Sequence, residues 1–516
     1  MNTDSRTKNS LRNLVTGIGS NILLIVIRFA CRTVLINTLG SAYLGINGLF
    51  SDILSMLSLT ELGLDVAMNY KLYKPLAEND MPRIRALMKF YRAAYLVVGS
   101  VILLLGLCLI PFLPALIKDY DSITALGLSP VLIFLLFLSQ SASSYLFFAF
   151  RNAILRANQE EYILSVVGFL SQFVLNIAQI VTLVLFKNFT AYVALSIVFS
   201  ILSNFAISLI ATKKYPDAFK KSDDRLSLAE IKDLFKDLGG AFIYKINYTV
   251  LRSTDNLIVS SFIGLTVVGF YSNYLLLFST ITIILDRFFG AFRASLGNLY
   301  AKESLEKRYA FFEICNLISY FLYGTAGVGV AVCTDELLTA WVGENYVIAQ
   351  PLALMMGVQL VMFGVKLGLD QIRYVTGTYR KMWYRPIISI TINLVVSLVM
   401  VNVIGIYGVV LGTLCADIFA DFLIDPFVIN KHCLENYKPV FRYYAKQFTY
   451  MALLVLVGML DYFICSHFVV GLGWISVIVH IIICGLSVPL VFLLVFHRTG
   501  ECQRLIQLAK TFLRIK

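Results

Sequence analysis

The sequence predicts an all-α polytopic membrane protein of about fourteen transmembrane helices: two six-helix lobes in a pseudo-two-fold repeat plus two C-terminal helices. Three observations carry that expectation. The 516 residues are 59% hydrophobic and only 14% charged, with a mean hydropathy of +0.79, whereas soluble domains carry about one quarter charged residues. Apolar stretches of about 20 residues recur from end to end, each long enough to cross a bilayer as a helix. A helix also satisfies its own backbone hydrogen bonds in lipid, which an open strand cannot. Third, the two halves resemble each other at a constant spacing.

The spans are expected at about 13–36, 43–68, 90–117, 129–153, 162–186, 190–212, 240–263, 266–290, 311–333, 351–373, 385–403, 406–428, 447–467 and 474–496. The first follows Arg6, Lys8 and Arg12 but holds Arg28 and Arg32 and shows no small-residue cleavage site. It reads as a retained helix rather than a signal peptide. The net charge of +12 is explained by its distribution. Lys and Arg fill alternate loops: Lys71 to Arg92, Lys213 to Lys236, Lys302 to Arg308, Arg380, Lys381 and Arg385, then Lys431 to Lys446, and the tail. The opposite loops offer only Lys118 and Lys187. That is the positive-inside pattern. It places both termini in the cytoplasm, ascribes the basic balance to topology and attraction to anionic lipid, and gives no reason to expect nucleic acid.

One long hydrophilic segment, residues 213–239, divides an N-lobe (1–212, spans one to six) from a C-lobe (240–430, spans seven to twelve). Spans thirteen and fourteen (431–496) and a cytoplasmic tail helix (497–516) follow. The linker contains Ser227-Leu228-Ala229-Glu230, a capping box that would start a helix. Leu228, Ile231, Phe235 and Leu238 would then face away from Lys232, Asp233 and Lys236, as in an interfacial helix. The tail has the same character. Across the linker, Leu39-Gly40 and Gly45 match Ile263-Gly264 and Gly269, an offset of 224 that pairs Arg28 with Arg252 and Asn21 with Lys245. Each pair is separated by seven residues, two helical turns on one face. Six spans per half preserve orientation, so the repeat is parallel, with substrate expected between the lobes near the midplane.

The intramembrane charges are the candidate site. An arginine at a span centre costs about 2.5 kcal/mol on insertion scales, so it usually faces a wet cavity and has a function. Arg28, Arg252, Arg32 and Lys245 form a cationic group suited to a pyrophosphate, because guanidinium donates two parallel hydrogen bonds and stays charged. The bland alternative is internal pairing, with Asp255 the nearest partner of Arg252 in sequence, and Arg32 snorkelling outward. Glu61, Asp65, Asp286, Arg287, Lys366, Asp370 and Arg373 lie at cytoplasmic span ends and form a candidate gate or, equally, interfacial helix-end charges. Lys366 and Asp370 are spaced to pair on one helix. Asp417, Asp421 and Asp425 stack at i, i+4, i+8; Asp417, with Asp255, is the candidate H+ or Na+ coupling site, and Asp425 is expected in the headgroup region.

Tyr244, Tyr248, Tyr271 and Tyr274 suit either sugar stacking or packing, and packing is the commoner role. Gly17-Ile18-Gly19 and Gly327-Val328-Gly329 read as packing glycines. The nine scattered cysteines read as small apolar filler. There is no nucleotide loop, zinc spacing or catalytic triad, which argues against a self-powered pump and against an enzyme with a cofactor or metal.

This layout, with cationic first and seventh helices and local stretches such as Leu39-Gly40-Ser41-Ala42-Tyr43-Leu44-Gly45 with Gly48 nearby, resembles the MOP exporter superfamily. Within it the chain is most similar to the Wzx-type polysaccharide-repeat-unit flippases, relatives of the lipid II flippase MurJ. The resemblance implies a V-shaped bundle working by alternating access in a bacterial cytoplasmic (inner) membrane. It implies a cargo of undecaprenyl-pyrophosphate-linked oligosaccharide, moved to the outer leaflet for surface polysaccharide biosynthesis. It implies Arg28 and Arg252 as cavity residues, a lipid-tail groove at spans thirteen and fourteen, and contacts with membrane lipids and polysaccharide assembly proteins. The rival readings are a cation-coupled multidrug exporter of the same superfamily, a membrane glycan polymerase or ligase, and a non-transporting scaffold. The cavity helices are net basic, which disfavours cationic drugs. The largest outer loop, Thr334 to Gln350, is short for a glycan enzyme.

Overall fold

Gly40 and Gly264, the glycines that the repeat offset pairs, both adopt positive φ (95° and 138°) and both sit immediately before a helix. In the computed structural model, residues 23–58, 64–236, 239–302, 304–469, 471 and 473–513 are described; they form helices and turns, with no strand among them. Among the described residues, ten helices are long and apolar enough to cross a membrane, or eleven if the bent pair Pro130–Leu146 and Ala149–Ala157 is one span. The three other expected spans are helical too. Residues 23–39 form the first, Ser41–Leu57 the second and Gly239–Phe262 the seventh. The seventh holds Lys245, Arg252 and Asp255, three charges that lower its apolar character. The all-α polytopic expectation holds.

Three boundaries differ from expectation. The second span ends at Leu57, and a separate helix runs Leu64–Glu78 where one span to residue 68 was expected. The eighth helix continues to Lys302, not 290. The fourth is bent by 42° between Leu146 and Ala149. At the bend Phe148 has φ 64°, a left-handed conformation that bulky residues avoid. No proline or glycine marks the bend. Irregular backbone at membrane depth persists only where protein or a cavity surrounds it. Arg151 caps the bend, donating to Ser208 at 2.5 Å and Thr212 at 2.7 Å.

The chain folds as two compact units, Met1–Gly269 and Phe270–Lys516, so the seventh helix belongs with the N-terminal six. Two sets of contacts explain this. At the C-terminal end of the seventh helix, Ser260 and Ser261 donate to the Leu116 carbonyl at 3.2 and 2.9 Å. Lys118 returns bonds to the Ser260 and Phe262 carbonyls at 3.1 and 2.9 Å. At the second contact, glycine lets two backbones touch. A Cβ on Gly45 would lie 2.1 Å from the Leu265 oxygen, and one on Gly269 would lie 2.2 Å from the Ser41 oxygen. Ser41 and Leu265 are themselves 224 residues apart, so the contact is reciprocal: residue i meets j+224 as j meets i+224. Such self-complementarity is what a two-fold axis produces. The offset read from glycines alone is thus a real local symmetry.

The linker begins its helix, Leu228–Lys236, with the expected capping box. Ser227 N donates to Glu230 Oε2 at 2.9 Å, and Glu230 N donates back to Ser227 Oγ at 3.3 Å. It also docks on the N-terminal end of the third span through Arg83–Glu230 at 2.9 Å and Arg85–Asp224 at 2.8 Å. Leu228 stays 86% exposed, as an interfacial helix requires. The tail helix Gly500–Leu513 departs from a simple surface anchor. Cys502 is fully buried, in a cluster with Tyr450, Phe492 and Phe496, and Glu501 accepts from Lys446 at 2.8 Å. In the second unit Gly327 meets the Gly357 backbone as a packing glycine, while Gly329 touches nothing. Gly17 and Gly19 lie outside the described residues.

Candidate functional site

Arg252, near the middle of the seventh helix, lies with its guanidinium carbon 4.9 Å from the ring centroid of Tyr248, one turn earlier. A cation over an aromatic face is held electrostatically. Its charge also acts on Asp52 of the second span. Asp52 in turn accepts a 2.5 Å hydrogen bond from Asn256 of the seventh. Arg252 is therefore half-buried and oriented by groups from two helices. Asp52 and Asn256 were missed by sequence reasoning, which looked for a partner at Asp255, three residues away. The available signal was a lone carboxylate inside an apolar span, itself a functional flag. Asp255 is 4% exposed on the same helix.

Arg28 lies in the same unit, on the first helix, and its side chain is exposed. The same face packs inward farther along the helix: Cys31 is 3% and Leu35 1% exposed, and the Cys31 thiol approaches the Gln179 amide oxygen of the fifth span at 3.8 Å. Arg32, half-buried, lies close enough to Tyr192 of the sixth span to act on it electrostatically. Lys245 is exposed, two turns before Arg252, and borders a cavity of about 430 Å³ together with Thr249 and side chains of the second, fourth and sixth spans. The four expected cations are all in the first unit. Asn21, the repeat mate of Lys245, falls outside the described residues.

The expected gate residues have different surroundings. Glu61 lies outside the described residues; Asp65 is on the Leu64–Glu78 helix, with its side chain outside them. Asp286 accepts from the Tyr323 hydroxyl at 3.1 Å, and Arg287 is exposed. The pairing of Lys366 with Asp370 on one helix is corrected by the structure. Lys366 instead bridges to Asp421 of the twelfth span, and Asp370 takes Arg373 at 2.5 Å. Arg385 and Asp425 need correction as well. Arg385, counted as a loop charge, is 1% exposed, and Asp425, expected among headgroups, is fully buried. Arg385 pairs with both Asp421 and Asp425, and Arg373 also pairs with Asp425. Three cations and three carboxylates thus tie spans ten, eleven and twelve together. Unpaired, Arg373, Arg385, Asp421 or Asp425 would be prohibitive in that interior.

Asp421 lies in a π-helical stretch, Asp417–Ile424, a distortion that recurs at functional sites. Asp417 at its start is half-buried and acts on Lys366 electrostatically. The four tyrosines divide. Tyr271 and Tyr274 are 1% exposed, and Tyr274 donates to Asp335 and the Ile348 carbonyl at 3.1 and 2.9 Å, a packing role. Tyr248, half exposed, carries Arg252. All nine cysteines are free thiols.

Comparison of the sequence with protein-family models gives no match, and comparison with curated proteins gives none either. The fold has clear relatives. The lipid II flippase MurJ, in an inward closed conformation, superposes with a TM-score of 0.64 at 14% identity, over 94% of this chain and 98% of that one. An inward-facing multidrug resistance MATE-family transporter of the MOP superfamily gives 0.63 at 13% identity, over 80% and 96%. This chain shares its fold with both transporters. An outward-facing MATE transporter of the MOP superfamily matches less well, at 0.54. Within this fold, the charges described above occupy the first, second and seventh helices of one unit and the tenth to twelfth of the other.

Proposed function

We propose that this protein is a flippase that carries an undecaprenyl-pyrophosphate-linked oligosaccharide from the cytoplasmic to the outer leaflet of a bacterial inner membrane, by alternating access, for surface polysaccharide assembly. The observation that carries the reading is the placement of Arg28 and Arg252 on membrane helices of one unit, the first exposed and the second oriented by Tyr248 and Asp52. Guanidinium groups bind a pyrophosphate through parallel charge-assisted bonds. In a water-poor cavity that attraction far exceeds its value in bulk water. The flippase likeness covering 94% of the chain, against 80% for the MATE transporter, supports the same choice. Asp255 and Asp417 are the carboxylates proposed to couple transport to an H+ or Na+ gradient.

A cation-coupled multidrug exporter is the second reading, and one observation favours it: Asp52 puts a carboxylate beside Arg252. It ranks second because Asp52 is already engaged by Asn256 and by the charge of Arg252, which opposes recruitment of a cationic drug. The test is replacement of Arg28 and Arg252 together, by Ala and by Lys, in a host whose surface polysaccharide depends on the protein. The reading expects inner-leaflet accumulation of lipid-linked glycan and loss of surface polysaccharide in the Ala variant. Full export at normal protein levels would refute it.

A further inference from the structure

The cavity at Lys245 is built from chemistry that the cationic pair does not explain. Its second-span wall is Ser51, Ser55 and Ser58, spaced i, i+4, i+7 and hence on one helix face. Its fourth-span wall is Gln140, Ser141 and Ser144, within the run Ser139-Gln140-Ser141-Ala142-Ser143-Ser144. The two walls meet where Ser58 Oγ and Ser141 Oγ lie 3.3 Å apart. Serines in membrane helices commonly serve close helix packing, but packing serines are buried, and Ser51 and Ser55 are exposed. The Ser55 and Ser144 hydroxyls fall back on carbonyls of their own helices, at 2.9 and 2.6 Å, which leaves their oxygens able to accept from a ligand. No carboxylate is among the lining residues, and Lys245 is the single cation.

A second, independent feature points to the same place. The fourth helix breaks just beyond Ser144, at Phe147–Phe148, where Phe148 takes a left-handed conformation. Broken membrane helices line substrate sites in transporters, and strained backbone collects where function requires it. The volume of about 430 Å³ falls in the range of small-molecule sites. Thr249 and Lys245 precede Arg252 by three and seven residues, about 4.5 and 10.5 Å of helical rise toward the cytoplasm.

We propose that this cavity is the glycan subsite: its serines and Gln140 hold the hydroxyls of a sugar, and Lys245 takes a carboxylate on that sugar, while the pyrophosphate sits at the level of Arg252. The proposal rests on the flippase reading for its carrier. A hydroxyl- and amide-lined wall matches a polyol, which both donates and accepts. It gives a cationic drug no counter-charge, and the remaining lining, Leu54 and Phe137, can pack on the apolar face of a sugar ring. A single lysine matches one acidic substituent, such as a uronic carboxylate.

The test uses the full-length protein in lipid nanodiscs with four probes: bare undecaprenyl pyrophosphate, the same carrier bearing glucose, the carrier bearing glucuronate, and a soluble glucuronate-containing trisaccharide. The parent protein is expected to bind the glucuronosyl carrier about tenfold more tightly than the bare one. Ser55→Leu and Ser141→Leu, each checked for parental thermal stability, are expected to bring that ratio to about one. Lys245→Gln is expected to erase the preference for glucuronate over glucose while keeping a preference for glucose over no sugar. Bare-carrier binding with an undiminished sugar ratio in both leucine variants would overturn the subsite and leave the flippase reading standing. Binding of the trisaccharide, lost in Ser55→Leu, with no carrier binding would uphold the subsite and overturn the pyrophosphate reading. Binding of none of the probes would overturn both.

Discussion

Replacing Gly45 by Ala should unfasten the two-fold contact that ties the seventh and eighth helices to the second. The added methyl would lie 2.1 Å from the Leu265 oxygen and 2.9 Å from its carbon. To restore ordinary contact at 3.4 Å, the two backbones must part by roughly 1.3 Å. Overpacking of this kind costs about 1–3 kcal/mol. The upper end applies here because the obstructing atoms are backbone and cannot rotate away. By the local symmetry Gly269→Ala should cost about the same, since its methyl meets the Ser41 oxygen at 2.2 Å. The double variant should cost less than the sum of the two, because one separation relieves both clashes. Equilibrium unfolding in mixed micelles measures this, with Gly168→Ala as control. Gly168 has nothing within 4 Å and should be neutral or stabilised by about 0.4–1 kcal/mol. A Gly45→Ala protein as stable as the parent would refute the reciprocal contact, and additive losses would refute the shared separation.

Asp421→Asn removes the carboxylate that bridges Lys366 and leaves Arg385 only Asp425 in the interior of the second unit. It should cost about 3–5 kcal/mol, the penalty for breaking a buried ion pair, read as unfolding in the same micelles; parental stability would show that the network is dispensable. In the linker, the hydrogen bond from Arg85 holds the Asp224 carboxyl below its usual value, and the Ser227 amide does the same for Glu230. A depressed pKa stabilises fully above the ordinary carboxylate range near pH 4 and is lost as pH falls through the lower folded value. Hydrogen exchange over residues 216–236 should therefore accelerate only below about pH 4 and also at high salt, which screens exposed pairs; acceleration between pH 8 and 6 would contradict the assignment. Asp417→Asn should abolish the dependence of transport on an ion gradient, measured with and without the gradient. Unchanged gradient dependence would remove Asp417 as the coupling residue.

How legible the protein was depends on where each residue's partner came from. Features made by near neighbours in sequence were readable: the Ser227/Glu230 capping box and the positive-φ glycines at 40 and 264 are set by local backbone chemistry. The repeat was readable because glycine is required wherever two backbones touch, so Gly45 and Gly269 kept their spacing. Asp52, Asp425 and Arg385 were misjudged or missed for the opposite reason. Position along the chain put Asp425 and Arg385 at span ends, yet each is buried because its counter-charge arrives from another helix. Lys366 chose Asp421 over the i+4 carboxylate for the same reason. The hydroxyl cavity was invisible because Ser58 and Ser141 are 83 residues apart, Ser200 lies farther still along the chain, and they converge only in the fold. The break at Phe148 carries no proline or glycine signal at all.

The central claim is that Arg28 and Arg252 hold the pyrophosphate of a lipid carrier during its passage. The most direct measurement is translocation of a fluorescent undecaprenyl-pyrophosphate-linked sugar in proteoliposomes, read by accessibility from one leaflet. The account predicts that Arg28→Ala/Arg252→Ala, inserted at parental levels, lowers the rate at least about tenfold. The Lys/Lys protein should recover only part of it, because an ammonium cannot make the paired bonds of a guanidinium. A double-alanine protein that flips the carrier at the parental rate would contradict the account.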